Sequence, residues 1–230
     1  MLGGEPVTRG YYKNASKTRE DFFIENGKQF FKSGDIGELR DDGSFRLIDR
    51  KKDLVKLQLG EYVSLGKVEA QMKTNPLVDN ICVYADSFRK TFNFPEKIFL
   101  INHFSVKYTN AKCNNTEIES LYHFRSYTIA FIVPIKEALL SLAKSYKEFD
   151  IDTYSYEDIC NDPGLVGEVL KILAAHGKNN GLEKFEIPTK IQLCPEVWMP
   201  DSGLVTAAFK LKRRAIQNLY QSSIDQMYSQ

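Results

Sequence analysis

Phe31–Glu69 reads FKSGDIGELRDDGSFRLIDRKKDLVKLQLGEYVSLGKVE, and its order of turns, charges and apolar residues decides the fold class. Lys32-Ser33-Gly34-Asp35-Ile36-Gly37 sets a carboxylate in a tight glycine turn. A carboxylate there can accept from two neighbouring hydroxyls, and the glycines allow close backbone approach. Taken alone, Asp35 need only cap a turn. Asp41-Asp42-Gly43 is a second turn signal and leads into a strand at Phe45–Ile48. Asp49-Arg50-Lys51-Lys52-Asp53-Leu54-Val55-Lys56 is a dense cationic run, suited to phosphate oxygens, although such a run alone is usually a solvated loop. After a short strand at Leu54–Leu57, Gly60-Glu61-Tyr62-Val63 closes a turn. Ser64 can then cap a helix to about Thr74, with Leu65, Val68 and Met72 on one face.

Working outward, residues 1–48 read as short strands and turns broken by glycines and charges, with no clear helix and few large aliphatics. Downstream, Asn80–Ala85 and Tyr127–Val133 are β-rich runs expected to pair antiparallel. Lys136–Lys147 reads as a helix. Asp162 before Pro163 starts another, with Leu165, Val166, Val169, Leu170 and Leu173 as its apolar stripe. Lys190–Cys194 reads as a strand. Arg213–Tyr228 reads as one closing helix with Ile216, Tyr220, Ile224 and Met227 on one side. Strands alternating with helices predict an α+β fold.

The chain has 230 residues, 43% hydrophobic and 27% charged, with formal net charge +1. That suits a soluble globular body and gives no charge argument for a nucleic-acid partner. The four cysteines, Cys82, Cys113, Cys160 and Cys194, form no CxxC pair and fit a reducing, intracellular setting. The N-terminal residues show no secretory signal, and no window reaches the about 20 apolar residues of a spanning helix.

Asp86–Ser126 does not fit a hairpin connection. Within it, Phe, Asn, Ile, Lys and Tyr make up 18 of the 34 residues of Thr91–Phe124, and Gly, Arg, Asp and Trp are absent. Loops of such length are rare in compact domains. Those five residue types have AT-rich codons, so an atypical insertion at about 88–125 is expected, either lineage-specific or an intron retained in the reading frame. His103, Cys113 and His123 within it match no zinc spacing, so no metal site is expected.

In this order and spacing, the motifs resemble those of fatty-acyl-CoA synthetases, within the adenylate-forming enzymes. The general pattern is a TGD turn, a DGxxxxxDR segment, a lysine-rich hinge, then KxxxGE leading into a helix. Here Ser33 replaces the usual Thr and keeps the hydroxyl. A second stretch, Trp198-Met199-Pro200-Asp201-Ser202-Gly203-Leu204-Val205-Thr206-Ala207-Ala208-Phe209-Lys210-Leu211-Lys212-Arg213, resembles the long-chain branch, especially its polyunsaturated, arachidonate-preferring subgroup.

The resemblance implies an ATP-dependent long-chain fatty-acid–CoA ligase. It would convert fatty acid, ATP and CoA to acyl-CoA, AMP and pyrophosphate through an acyl-adenylate. It implies Lys210 as the catalytic lysine and Asp35, Arg50, Lys52 and Lys56 as ATP and adenylate contacts. Asp49 and Lys52 would form the hinge, and Gly60, Glu61 and Tyr62 would line the CoA channel. Lys212, Arg213 and Arg214 are read from charge alone as partners for CoA phosphates. Residues 1–48 would be the edge of a large adenylation domain, 49–52 the hinge, and 53–230 the small mobile domain. The phosphate loop, the magnesium-binding glutamate and the acyl tunnel are expected upstream in the family, so the 230 residues alone are expected to be a fragment of little or no activity. The parent would work at the endoplasmic reticulum, outer mitochondrial or peroxisomal membrane, on the cytosolic face. The alternatives are a non-catalytic stand-alone small domain and another acid–CoA ligase or adenylating enzyme.

Overall fold

The computed structural model describes residues 1–57, 60–86, 127–146 and 154–229; the expected insertion at about 88–125, with His103, Cys113 and His123, lies outside them. The fold is α+β, and its centre is a three-stranded sheet of order β10–β9–β8. β8 (Val78–Ala85) and β9 (Thr128–Pro134) pair antiparallel from Val78↔Pro134 to Ala85↔Thr128. β10 (Lys190–Leu193) lies parallel to β9, with Lys190 opposite Ile129. Every residue of β9 is buried. A strand covered on both faces reads as an unbroken apolar run, and the run YTIAFIV is one.

The two faces of β9 feed different layers, as a period of two requires. Ala130 and Ile132 pack with Ile81 and Val83 of β8 against α2 (Leu65–Met72) and α5 (Pro163–Asn179). Ile129, Phe131 and Val133 pack against Trp198 and the tail helices α6 (Arg213–Leu219) and α7 (Gln221–Ser229). α3 (Lys136–Tyr146) and α4 (Tyr156–Asn161) complete the first layer through Leu139, Ala143, Ile159 and Cys160.

Helix starts follow the expected chemistry. The Ser64 hydroxyl accepts from Lys67 N at 3.1 Å and caps α2. Asp162 Oδ1 accepts from Leu165 N at 2.8 Å, with Pro163 in the first turn of α5, where a missing N–H costs nothing. The tail differs from the single helix expected. It breaks at Tyr220 (φ −100°, ψ 20°), whose ring stacks on Phe131 at 4.7 Å, so core packing sets the bend.

Residues 1–50 carry two small sheets: β1 (Leu2–Gly3), β2 (Phe22–Glu25) and β3 (Lys28–Phe31) form one, and β4 (Asp35–Leu39) and β5 (Phe45–Arg50) form the other. They also hold a helix that the pattern did not predict, α1 (Ala15–Asp21), capped by Asn14 Oδ1 on Lys17 N at 3.0 Å. It buries no residue, so it has no apolar stripe to be read from. β6 (Leu54–Lys56) and β7 (Tyr62–Ser64) form the last hairpin.

Candidate functional site

Register within β4–β5 sets Asp35 directly opposite Arg50. Arg50 Nε lies 3.6 Å from Asp35 Oδ1, with the arginine side chain 72% exposed. A pair so open to water is weak, which leaves both groups available to a ligand. Gly34 takes φ +75°, and the Ser33 hydroxyl accepts from Asp35 N at 3.3 Å. The same turn is tied to the cationic run, because Lys51 N donates to Gly34 O at 2.8 Å.

Asp49 and Asp53 bracket Arg50–Lys52 and both touch the N-terminus of α2. The Ser64 hydroxyl donates to Asp49 Oδ2, and Leu65 N donates to the Asp53 carbonyl at 2.9 Å. Lys52 is exposed and its charge also reaches Asp21. Burial pushes the Asp21 carboxyl up, but hydrogen bonds from Lys17 and Tyr11 and the charges of Lys17 and Lys52 hold it below the usual range.

Lys210 sits on a short closed loop before α6. Thr206 N donates to Lys210 O at 2.8 Å, and Lys210 N donates back to Thr206 Oγ1 at 3.1 Å. Phe209 at the tip takes φ +55°. A bulky residue is rarely held there, and such strain gathers at functional loops. Below the tip, Val205 bridges Leu211 and Lys212 N donates to Leu204 O at 2.8 Å.

The structure brings Lys210 to the nucleotide-side residues. Arg50, Lys52, Phe209, Lys210, Lys212 and Arg214 line one cleft of about 1080 Å³, floored by β8. The lining also carries Lys73, and Arg213 with the carboxylates of Asp53 and Glu69; the excess of cations attracts an anion, above all phosphoryl oxygens. Asp35 reaches this group through its pairing with Arg50.

Lys56, Gly60, Glu61 and Tyr62, on the β6–β7 hairpin, are not part of that lining, although Val55 of the same hairpin is. Lys56 Nζ lies 5.5 Å from the centre of the Tyr62 ring. Gly60 takes φ +100° with open space where a Cβ would stand, so the backbone is exposed to close approach. Leu57 N donates to Glu61 O at 2.7 Å and closes the turn.

Arg213 corrects the reading of the basic tail. Its guanidinium is not turned to solvent for a phosphate. Nε donates to Asp53 Oδ1 at 2.9 Å, and the two terminal nitrogens grip both oxygens of Glu69, Nη2 at 2.8 Å. Nη1 also donates to the Val83 carbonyl at 3.3 Å. Burial disfavours the charged guanidinium, but the Glu69 hydrogen bonds and charge outweigh it and hold the cation more firmly than in water. Glu69 is itself buried and takes a further bond from Val83 N at 2.8 Å. The sequence signal that could have found this pair is the carboxylate of Glu69 on the Leu65–Val68–Met72 face of α2, which demands a buried cation. Among the described residues, no group of three or more His, Cys, Asp or Glu side chains could hold a metal ion.

No protein-family model matches the chain. It is 38% identical over 230 residues to a protein named long chain acyl-CoA synthetase 8 from Arabidopsis thaliana, covering 100% of the chain and 26% of that protein. To long-chain-fatty-acid–CoA ligase 1 of Schizosaccharomyces pombe it is 33% identical over 229 residues, 100% of the chain and 28% of the ligase. The adenylation domain of a carboxylate reductase from Mycobacterium chelonae superposes with TM-score 0.66 and 25% identity, over 96% of the chain and 26% of that structure. The chain spans about a quarter of the length of the curated relatives it matches. Throughout that span it is similar to long-chain acyl-CoA synthetases, and its fold matches the C-terminal part of adenylate-forming enzymes.

Proposed function

We propose that this chain acts as the C-terminal part of a long-chain fatty-acid–CoA ligase that joins fatty acid to CoA at the expense of ATP, through an acyl-adenylate. The observation that carries the reading is the shared cleft: Lys210, from the far end of the chain, lines it together with Arg50 and Lys52. In the first half-reaction a fatty carboxylate attacks the α-phosphorus and pyrophosphate leaves. Negative charge grows on the phosphoryl oxygens, and the Lys210 ammonium stabilises it in a site closed to water. Asp35 accepts from the ribose hydroxyls, and Arg50 and Lys52 hold the nucleotide within the cleft; Lys56, outside its lining, would reach the nucleotide only after the small body moves.

In the second half-reaction the body carrying Lys210 turns about Asp49–Lys52. The Gly60-Glu61-Tyr62 turn then takes its place and admits the thin arm of CoA, whose thiol displaces AMP. That Gly60, Glu61 and Tyr62 do not line the Lys210 cleft fits two faces used in turn. Lys212 and Arg214 remain as cations for CoA phosphates; Arg213 does not. Magnesium would be held by groups beyond these residues. In this reading the ligase belongs to the polyunsaturated-preferring long-chain branch, on the evidence of Trp198–Arg213, and works at an intracellular membrane surface. Among the described residues no helix is long and apolar enough to cross a membrane.

In a full-length ligase carrying these residues, Lys210→Ala should slow ATP–pyrophosphate exchange about 10²–10³-fold. Thioester formation from preformed acyl-AMP should fall far less. Equal losses in the two half-reactions would sink the assignment. The 230 residues alone hold no Ser/Thr/Gly-rich phosphate loop. They should yield no acyl-CoA from fatty acid, ATP and CoA, and turnover by the purified chain would contradict this reading.

A further inference from the structure

Arg213 stands three residues after Lys210 and touches Asp53, the first residue past the segment read as the hinge. Two further anchors hold it: the buried Glu69 of α2 and the carbonyl of Val83 in β8. We propose that Arg213 is a positioning residue that clamps the Lys210 loop to Asp53, to α2 and to the sheet, so that Lys210 leaves its loop in one fixed direction on the body past Arg50–Lys52. The proposal rests on the ligase reading for the roles of Lys210 and the hinge, but its geometry is independent of turnover.

The two sides of Arg50–Lys52 are held unequally. Past it, Asp53 accepts from Arg213, and the guanidinium is locked on Glu69 by a two-pronged contact. Charge-assisted, paired bonds of this kind are the strongest a side chain makes. Before it, Asp49 is joined to α2 by one hydroxyl, that of Ser64. A turn about Arg50–Lys52 therefore breaks the Ser64–Asp49 bond and leaves the Arg213 cluster whole. The base of the Lys210 loop closes immediately before Arg213, where Lys212 N meets Leu204 O and Val205 bridges Leu211. That closure holds the positive φ of Phe209, and with it the direction in which Lys210 leaves the loop. A lysine at 213 cannot do the same work, since one ammonium does not span Asp53, both oxygens of Glu69 and the Val83 carbonyl.

The test is residue-resolved amide exchange by nuclear magnetic resonance on the full 230-residue chain, without substrate. In Arg213→Lys, the amides of Thr206 and Lys212 should exchange at least about tenfold faster than in the parent, and those of Phe131 and Ile132 less than about twofold faster. Uniform acceleration would mean that Arg213 only stabilises the whole fold, and no change at Thr206 and Lys212 would mean that it holds nothing; either overturns the proposal. Asp53→Asn keeps the Glu69 fork and weakens only the hinge-side arm, so it decides the matter where Arg213→Lys does not fold. It should loosen the Asp53 and Lys212 amides more than Phe131, and equal loosening counts against the clamp. An inactive chain with these local effects leaves the clamp standing. A Lys212 amide that ignores both variants removes the clamp and leaves the ligase reading untouched.

Discussion

Two antiparallel strand pairs of the molecule carry similar apolar sequences and meet opposite fates. β4–β5 shows Leu39, Phe45 and Leu47 to solvent at 73%, 65% and 66% exposure, while β8–β9 buries Ile81, Val83, Ile129 and Phe131 almost completely. No residue of the first 50 is buried. The difference is not strand propensity, since Phe45-Arg46-Leu47-Ile48 is as β-prone as Thr128–Phe131. What differs is cover: β9 is sandwiched between α2 and α5 on one side and α6 and α7 on the other. A two-stranded hairpin without such cover is marginal in water. The N-terminal elements hold by backbone pairing and a few ring contacts, such as Phe22 on Phe31 at 4.8 Å and Phe45 laid across Gly37. One part of the chain therefore carries the stability, and the other carries Asp35 and Arg50.

The largest expected effect tests that division directly. Phe131→Ala should cost about 3–5 kcal/mol in urea unfolding, the usual range for a large ring lost from a packed core. Its ring is 1% exposed and stacked on Tyr220. Phe45→Ala should change global stability by no more than about 0.5 kcal/mol. A cost near that of Phe131 for Phe45 would show that the hairpin unfolds with the core, and the comparison would fail.

Much of this division was legible in the residues. The runs at 80–85 and 127–133, the Ser64 cap and the Asp162-Pro163 start carry their signal in neighbouring positions, and each element stands within a residue or two of its expected place. The turns at Gly34 and Gly43 were legible for the same reason, both adopting positive φ. Helix α1 was not, because ASKTRED buries nothing and offers only Asn14 as a start signal. Nor was the break at Tyr220, which depends on Phe131 across the sheet. The cleft was half legible: Lys210, Arg50 and Lys52 stand in quoted motifs, but their meeting on one surface, like the contacts of Arg213 with residues 53, 69 and 83, joins positions far apart in the chain. Local pattern holds no record of contacts at that range.

A second contrast comes from the thiols, which separate the regions by pH. Cys82, Cys160 and Cys194 all lie in the core part, and burial pushes them up to about 12, about 11 and about 12. At Cys82 the Glu69 charge adds to burial, and Arg213 opposes it. An unfolded thiol ionises near 8.5. A folded value raised above the unfolded one gives stability that is whole below about pH 8.5 and fades as pH climbs toward the folded values. Each thiol should then cost about 1.4 kcal/mol per pH unit between those limits. The urea midpoint should be flat from pH 7 to 8.5 and fall steadily by pH 10, and Cys82→Ala should make that fall shallower. A midpoint level to pH 10 would mean that these thiols are ionised or solvated in the native state.

The smallest effect sets two helix caps against each other. Asp162 caps α5, seventeen residues long, with Leu165, Val169 and Leu173 in the core. Asn14 caps α1, seven residues long, with nothing buried. Both side chains do the same chemistry, accepting an orphan N–H of the first turn. Replacement by alanine ordinarily costs about 1 kcal/mol where the helix unfolds with the protein. Asp162→Ala should therefore lower global stability by about that amount, because α5 cannot fray without opening the core. Asn14→Ala should leave the urea midpoint where it is and speed only the amide exchange of Lys17 and Thr18, since α1 can melt while β8–β9 stays closed. Equal shifts of the global midpoint would join the two regions into one cooperative unit, with Asp35 and Arg50 drawing on the same core that holds Lys210.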